Sequence, residues 1–134
     1  MIIKSSSGLA EITFELSEIS KPERSHPSVA FSVEVKNEDY SGKVRQVWFD
    51  REDLEAFINE SEKLFNNASI AIKLKAYSDF WLNVRRINAS GHLAFRAHLE
   101  HRMSESLLEL EVESDLSIVD SIKAYFKDII LKMS

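Results

Sequence analysis

The sequence predicts an α+β fold: one antiparallel sheet of about seven strands, in the order βββα then ββββα, with two helices packed on one face. Three observations predict it. Apolar and polar residues alternate over short stretches on both sides of the chain's middle, the period-2 pattern of half-buried strands. Two stretches, one central and one C-terminal, switch to helical spacing. Only three glycines and two prolines interrupt 134 residues, which favours long regular elements joined by tight turns.

The first strand is predicted over Leu9–Ser17, with Ile12, Phe14 and Leu16 inward and Glu11, Thr13 and Glu15 outward. The polar stretch Ser20–Ser28 carries both prolines and reads as a loop. Val29, Phe31, Val33 and Val35 then alternate with Ala30, Ser32, Glu34 and Lys36 as a second strand. Glu38–Gly42 is a turn, and Lys43–Asp50 a third strand that runs directly into a helix.

That helix is the best-marked element. Leu54, Phe57, Ile58, Ser61, Leu64 and Phe65 fall on one face of a 3.6-residue repeat. Asp50 or Asp53 can cap it, acidic residues crowd its first turn where the helix dipole favours them, and Asn66-Asn67 is a stop. One apolar face does not offset the entropy of ordering such a segment, so the helix must lie on a sheet.

The second half repeats the plan. Ser69–Ala76 alternates as a strand, a turn at Tyr77-Ser78-Asp79 leads into Phe80–Asn88, and Ala89-Ser90-Gly91 turns the chain into Leu93, Phe95, Ala97 and Leu99. The polar segment Glu100–Glu105 turns it again into Leu108, Leu110 and Val112. Leu116, Val119, Ile122, Phe126, Ile129 and Ile130 then recur at helical spacing, with Ser114 or Asp115 as cap. Shifted by 62 positions, Phe31/Val33/Val35 fall on Leu93/Phe95/Ala97 and Asp53-Leu54 on Asp115-Leu116. A duplication explains this, and so does a shared binary pattern; both give the same architecture.

At 134 residues the chain is expected to form a single domain, 1–134, with a core that needs no staples. It has no cysteine, which excludes disulfides, thiolate metal sites and cysteine nucleophiles and fits a reducing compartment. The N-terminal stretch lacks a long apolar run, so neither a signal peptide nor a membrane span is expected. The formal charge is −5, and the deficit lies in the first half: residues 1–67 hold 8 Lys/Arg against 13 Asp/Glu, whereas residues 68–134 hold 9 of each. That balance disfavours nucleic acid as a direct ligand and suits a basic partner.

Four constellations are candidates for chemistry. His92, His98, His101 and Glu100 cluster in one hairpin, but no HxH or HExxH spacing puts two ligands on a rigid face. Lys73, Lys75, Arg85 and Arg86 interleave with Tyr77 and Trp81, a combination that would stack and neutralise single-stranded nucleic acid were the chain not acidic. Glu109, Glu111 and Glu113 line one strand face, either as an acidic patch for a cationic partner or as a solvated face balanced by Arg96 and other cross-strand bases. Trp48 and Trp81 sit where a tryptophan either anchors an interface or completes a core. No Gly-rich phosphate loop, GxSxG elbow or paired catalytic acids occur, so no catalytic residue, cofactor or metal ligand is assigned. The partner-binding candidates are Glu109, Glu111, Glu113 and Trp81.

The order VWFDREDLEAFINESEKL, IAIKLKAYSDFWLNVRRINASGHLAFRAHLE and LLELEVESDLSIVDSIKAYFKDI resembles the small WapI-type immunity proteins of bacterial contact-dependent toxin systems. The likeness covers about residues 28–132. It lies in the aromatic-ended strand running into a DL-initiated helix, the spacing from Ser78 to Leu82, the Gly91-His92 turn, and the junction from Glu113 to Leu116. The resemblance implies a cytoplasmic, non-enzymatic protein that binds and neutralises a cognate toxin domain, often a nuclease with a basic active-site surface. The other reading is a small-ligand-binding or catalytic domain with a pocket between sheet and helices, using His92, His98 and Glu100. A homodimer through an exposed sheet face or edge is compatible with both.

Overall fold

The structure, a computed structural model, describes residues 1–20, 27–67, 69–88, 90–101 and 106–133. It contains eight strands in two four-stranded antiparallel meanders. The first comprises β1 (Ile2–Lys4), β2 (Glu11–Ser20), β3 (Ser28–Lys36) and β4 (Ser41–Asp50). Helices α1 (Arg51–Ser61) and α2 (Lys63–Asn66) follow. The second comprises β5 (Ala71–Lys75), β6 (Phe80–Arg86), β7 (His92–His101) and β8 (Ser106–Asp115), followed by α3 (Ile118–Lys132). The α+β class and the antiparallel pairing are as the sequence predicts. The strand beyond the predicted seven is β1, three residues long and too short for alternation to reveal, yet Ile3 is completely buried.

With β1 included, each half is four strands followed by helix, α1 and the short α2 in the first and α3 in the second, which strengthens the topological likeness between them. The 62-residue shift is nonetheless not kept: α3 begins five residues later than the shift would place it. The cause is β8, which stays paired with β7 as far as Asp115 opposite His92. Ser114 and Asp115 are therefore strand residues rather than caps, and Ser117 precedes the first turn of α3 without a side-chain capping bond.

The core is one continuous cluster through both sheets and both longer helices. Phe14 of β2 is its hinge point, edge-on to Phe31 of β3 at 5.8 Å, Phe80 of β6 at 5.6 Å and Phe126 of α3 at 6.1 Å between ring centroids. Phe57 of α1 meets the same Phe126 at 5.9 Å. The sheets also touch through backbone: Tyr77 N–H donates to Trp48 O and Ser6 N–H to Glu113 O, each at 3.0 Å.

Three local departures have physical causes. Leu16, expected inward, is 40% exposed although it still pairs with buried Phe31; the β2–β3 register slips just beyond it, between Leu16 and Glu18, where the buried side of β2 ends. The central helix is interrupted at Glu62. Buried Ser61 donates its hydroxyl to Ile58 O at 2.6 Å, competing for the acceptor an unbroken helix would offer to Glu62 N–H, and Phe65 N–H closes a tight turn onto Glu62 O at 3.2 Å. Trp48 lies between buried Val47 and Phe49, so alternation points it away from the core, and it is half-buried rather than a core residue.

The start of α1 uses both predicted acids. Asp50 is the N-cap residue, and the Asp53 carboxylate reaches back to accept its N–H at 3.1 Å. The Asp50 carboxylate in turn accepts the Tyr77 hydroxyl, which pins the β5–β6 turn to the end of β4.

Candidate functional site

Alternation divides the second sheet cleanly. Ile72, Leu74, Phe80, Leu82, Val84, Phe95, Leu110 and Val112 point into the core, which leaves the opposite face to polar and charged side chains. The pairing register then sets those side chains in rows across the strands. Lys75, Trp81, His98 and Glu109 form one row; Lys73, Asn83, Arg96 and Glu111 form the next.

Their geometry is a connected network. Trp81 and His98 stack with ring centroids 4.8 Å apart and planes within 10°. Lys73 Nζ approaches the Trp81 ring from the β5 side, 4.9 Å from its centroid, a cation–π contact. His98 Nδ1 is 2.9 Å from Glu109 Oε1, and since an ionised carboxylate only accepts, Nδ1 is the donor. Arg96 donates to the other Glu109 oxygen at 2.9 Å, and Arg85 donates to Glu111 at 2.6 Å. The His98 hydrogen bond, reinforced by Arg96, holds the Glu109 carboxyl below its ordinary titration range. His98 Nε2 lies 3.7 Å from Glu100, beyond hydrogen-bond distance, so the Glu109 bond and the Trp81 stack orient the ring.

Of the four partner-binding candidates, then, Trp81 sits in the middle of this network, Glu109 and Glu111 are engaged by cross-strand bases, and Glu113 differs. Among the described residues, no hydrogen bond or ion pair reaches the Glu113 side chain, which is exposed near the C-terminal end of β8. The face balanced by cross-strand bases, as weighed from the sequence, describes Glu109 and Glu111 and does not extend to Glu113.

The basic–aromatic set is only partly brought together: Lys73 and Lys75 flank Trp81, and the rest are engaged elsewhere. Arg86 turns away and donates to Leu64 O at 3.1 Å and Phe65 O at 3.3 Å at the end of α2. Arg85 is held by Glu111, and Tyr77 by Asp50. The Asp50 hydrogen bond, with burial adding to it, raises the Tyr77 hydroxyl to about 12.

The histidine set also divides. His98 and Glu100 border a shallow cleft of about 210 Å³ beside the Tyr77–Asp79 turn. His92 is six residues away on β7, about 20 Å at the strand rise of roughly 3.4 Å per residue. Its ring lies 3.0 Å from Asn88 Nδ2 and 3.9 Å from Asp115. His101's side chain lies outside the described residues, as does the 102–105 part of the predicted turn. Among the described residues, no three His, Asp or Glu side chains converge as a metal-holding group.

A larger open cleft, about 490 Å³, lies where the loop after β1 meets β8, and both Glu111 and Glu113 border it. Sequence reasoning missed it because its two walls are more than eighty residues apart in the chain. The run Ser5-Ser6-Ser7-Gly8 was the available signal. Among the described residues, no helix is long and apolar enough to cross a membrane. No protein-family model matches the chain, and no curated protein matches it.

Proposed function

We propose that this chain is a non-enzymatic, cytoplasmic immunity-type protein that binds a cognate toxin domain, of the kind that carries a basic surface, and neutralises it by occlusion. The docking surface in this reading is the outer face of the second sheet. The observation that carries it is the network of Lys73, Trp81, His98, Glu109 and Arg96, exposed at its rim and braced internally before any partner arrives. A surface whose long side chains are already ordered loses less freedom on association. Trp81 at its centre, ringed by charges, has the composition of an interface anchor within a polar rim. The glutamates of β8 fit a cationic partner.

The test is co-expression with the toxin domain encoded beside its gene. A stable complex and protection of the host are expected, and Trp81→Ala weakens the complex by at least tenfold, about 1.4 kcal/mol. Full toxicity together with no co-purification would remove the proposal. Unchanged affinity in Trp81→Ala would move the interface off this face.

A further inference from the structure

The cleft at the seam between the sheets has a chemical character of its own. One wall is the loop Ser5–Ser7, tied down by Ser6 N–H to Glu113 O at 3.0 Å, Ser5 N–H to Ala10 O at 2.9 Å and Gly8 N–H to Ser5 O at 2.9 Å. The opposite wall is the β6–β7 turn, where Asn88 Oδ1 accepts from the Ser90 hydroxyl at 2.7 Å and Ser90 N–H at 3.1 Å. The floor is β8. Both walls are therefore braced by the chain's own hydrogen bonds, and about 490 Å³ lies between them, within the range of roughly 300–1,000 Å³ typical of ligand sites.

What the walls offer is unbalanced. Arg85, the cation closest to the floor along the register, already donates to Glu111. The Asn88 amide nitrogen lies 3.0 Å from His92 Nδ1, which turns that donor inward to the ring. The Ser5 and Ser7 hydroxyls bond each other at 2.9 Å and accept Ala10 N–H at 3.1 Å and Leu9 N–H at 3.3 Å; among the described residues that leaves the Ser6 hydroxyl and the Glu113 carboxylate without a bonded side chain. A cleft whose floor carries a carboxylate with no bonded partner among the described residues selects a ligand that is cationic and rich in N–H donors.

We infer that this cleft receives a guanidinium or ammonium side chain presented by the protein partner, with Glu113 as its counter-charge and the Ser6 hydroxyl as an additional acceptor. The identity of the occupant rests on the partner reading above, and charge complementarity is what favours a basic side chain. Glu113, rather than Glu109 or Glu111, is then the residue that reads the partner's charge, because the other two are occupied by Arg96, His98 and Arg85.

Two measurements separate this inference from the proposal it builds on. In the first, the isolated protein is titrated with N-acetyl-arginine amide and with its neutral analogue N-acetyl-citrulline amide, followed by amide NMR. The arginine compound is expected to shift the Ser6, Asn88, His92 and Glu113 amides, the citrulline compound to shift them several-fold less, and Glu113→Gln to abolish the difference. Equal effects of the two compounds, shifts scattered over the surface, or insensitivity to Glu113→Gln would overturn the inference whatever the toxin does. In the second, complex formation with the toxin domain is measured for Glu113→Gln and for Glu60→Gln, a charge control on exposed α1. At least tenfold weakening in Glu113→Gln alone is expected; equal, small effects would overturn it. Should the toxin domain not bind at all, the proposed function fails and the arginine titration alone decides the cleft.

Discussion

Removing the Phe14 ring should loosen both sheets at once. Phe14 is completely buried and sits edge-on to rings from β3, β6 and α3. Truncating a buried phenylalanine to alanine costs about 3–5 kcal/mol through lost transfer energy and the cavity left behind. Edge-on aromatic pairs add about 0.5–1.5 kcal/mol each, and three of them put Phe14→Ala near the upper end, about 4–5 kcal/mol. With a urea slope of about 2 kcal/mol/M for a chain of this size, the midpoint should fall by about 2 M. The two tryptophans supply the assay, since Trp48 lies in the first sheet and Trp81 in the second. In Trp81→Phe the remaining fluorescence reports the first sheet, and in Trp48→Phe the second. Phe14→Ala made in each background should lower both midpoints together. A second-sheet midpoint that stayed in place while the first fell would refute a shared core, because the residue substituted belongs to the first sheet alone. Leu131→Ala is the control: that side chain is 74% exposed, and its loss should cost less than about 0.5 kcal/mol.

Three further outcomes are expected. The His98 hydrogen bond and Arg96 depress the Glu109 carboxyl in the folded state, so its stabilisation is present above the unfolded carboxylate range and is lost as pH falls through the folded value. Urea midpoints measured on the acid side should therefore decline less steeply in Glu109→Gln than in the parent, and parallel declines would contradict the assignment. Tyr77 is shifted the other way: its stabilisation is present below the ordinary tyrosine value and lost as pH rises towards about 12, so ultraviolet titration should show a late phenolate that Tyr77→Phe removes and Asp50→Asn moves earlier. At Gly42 a Cβ would come within 2.5 Å of Leu108 Cδ2, the movable end of a half-buried side chain, so Gly42→Val should cost about 1 kcal/mol or less, with that cost recovered in the double variant with Leu108→Ala. Strict additivity by thermal denaturation would place the cost elsewhere.

Periodicity made most of the fold readable. The strands around Phe31, Leu74, Val84 and Val112 and the helices through Leu54 and Ile122 lie where alternation and helical spacing put them, with those side chains buried. Period reports which side of an element is buried, not which element buries it. Two sheets sharing one interior leave the same trace as a single sheet under two helices, and only contacts such as Phe14 with Phe80 distinguish them. Single-residue events are also silent. The slip after Leu16 leaves no mark in the alternation, and the pairing of His92 with Asp115 carries β8 up to the aspartate of an Asp-Leu step that elsewhere lies within a helix.

The surface was legible in composition and illegible in pairing. Three glutamates spaced by two along β8 must share a face, which makes them look equivalent. Their partners differ because β7 and β6 differ. Opposite Glu109 stands His98, with Arg96 one row away; opposite Glu111 stands Arg96, with Arg85 in reach; opposite Glu113 stands Ala94, which offers no charge. The register of one strand pair thus neutralises two carboxylates and spares the third, at the place where the loop after β1 completes a cleft. A basic partner docking on this face gains little from Glu109 and Glu111, whose attraction is already met internally. In the proposed complex the charge is delivered at Glu113, the carboxylate that the β7–β8 register leaves without a cross-strand base.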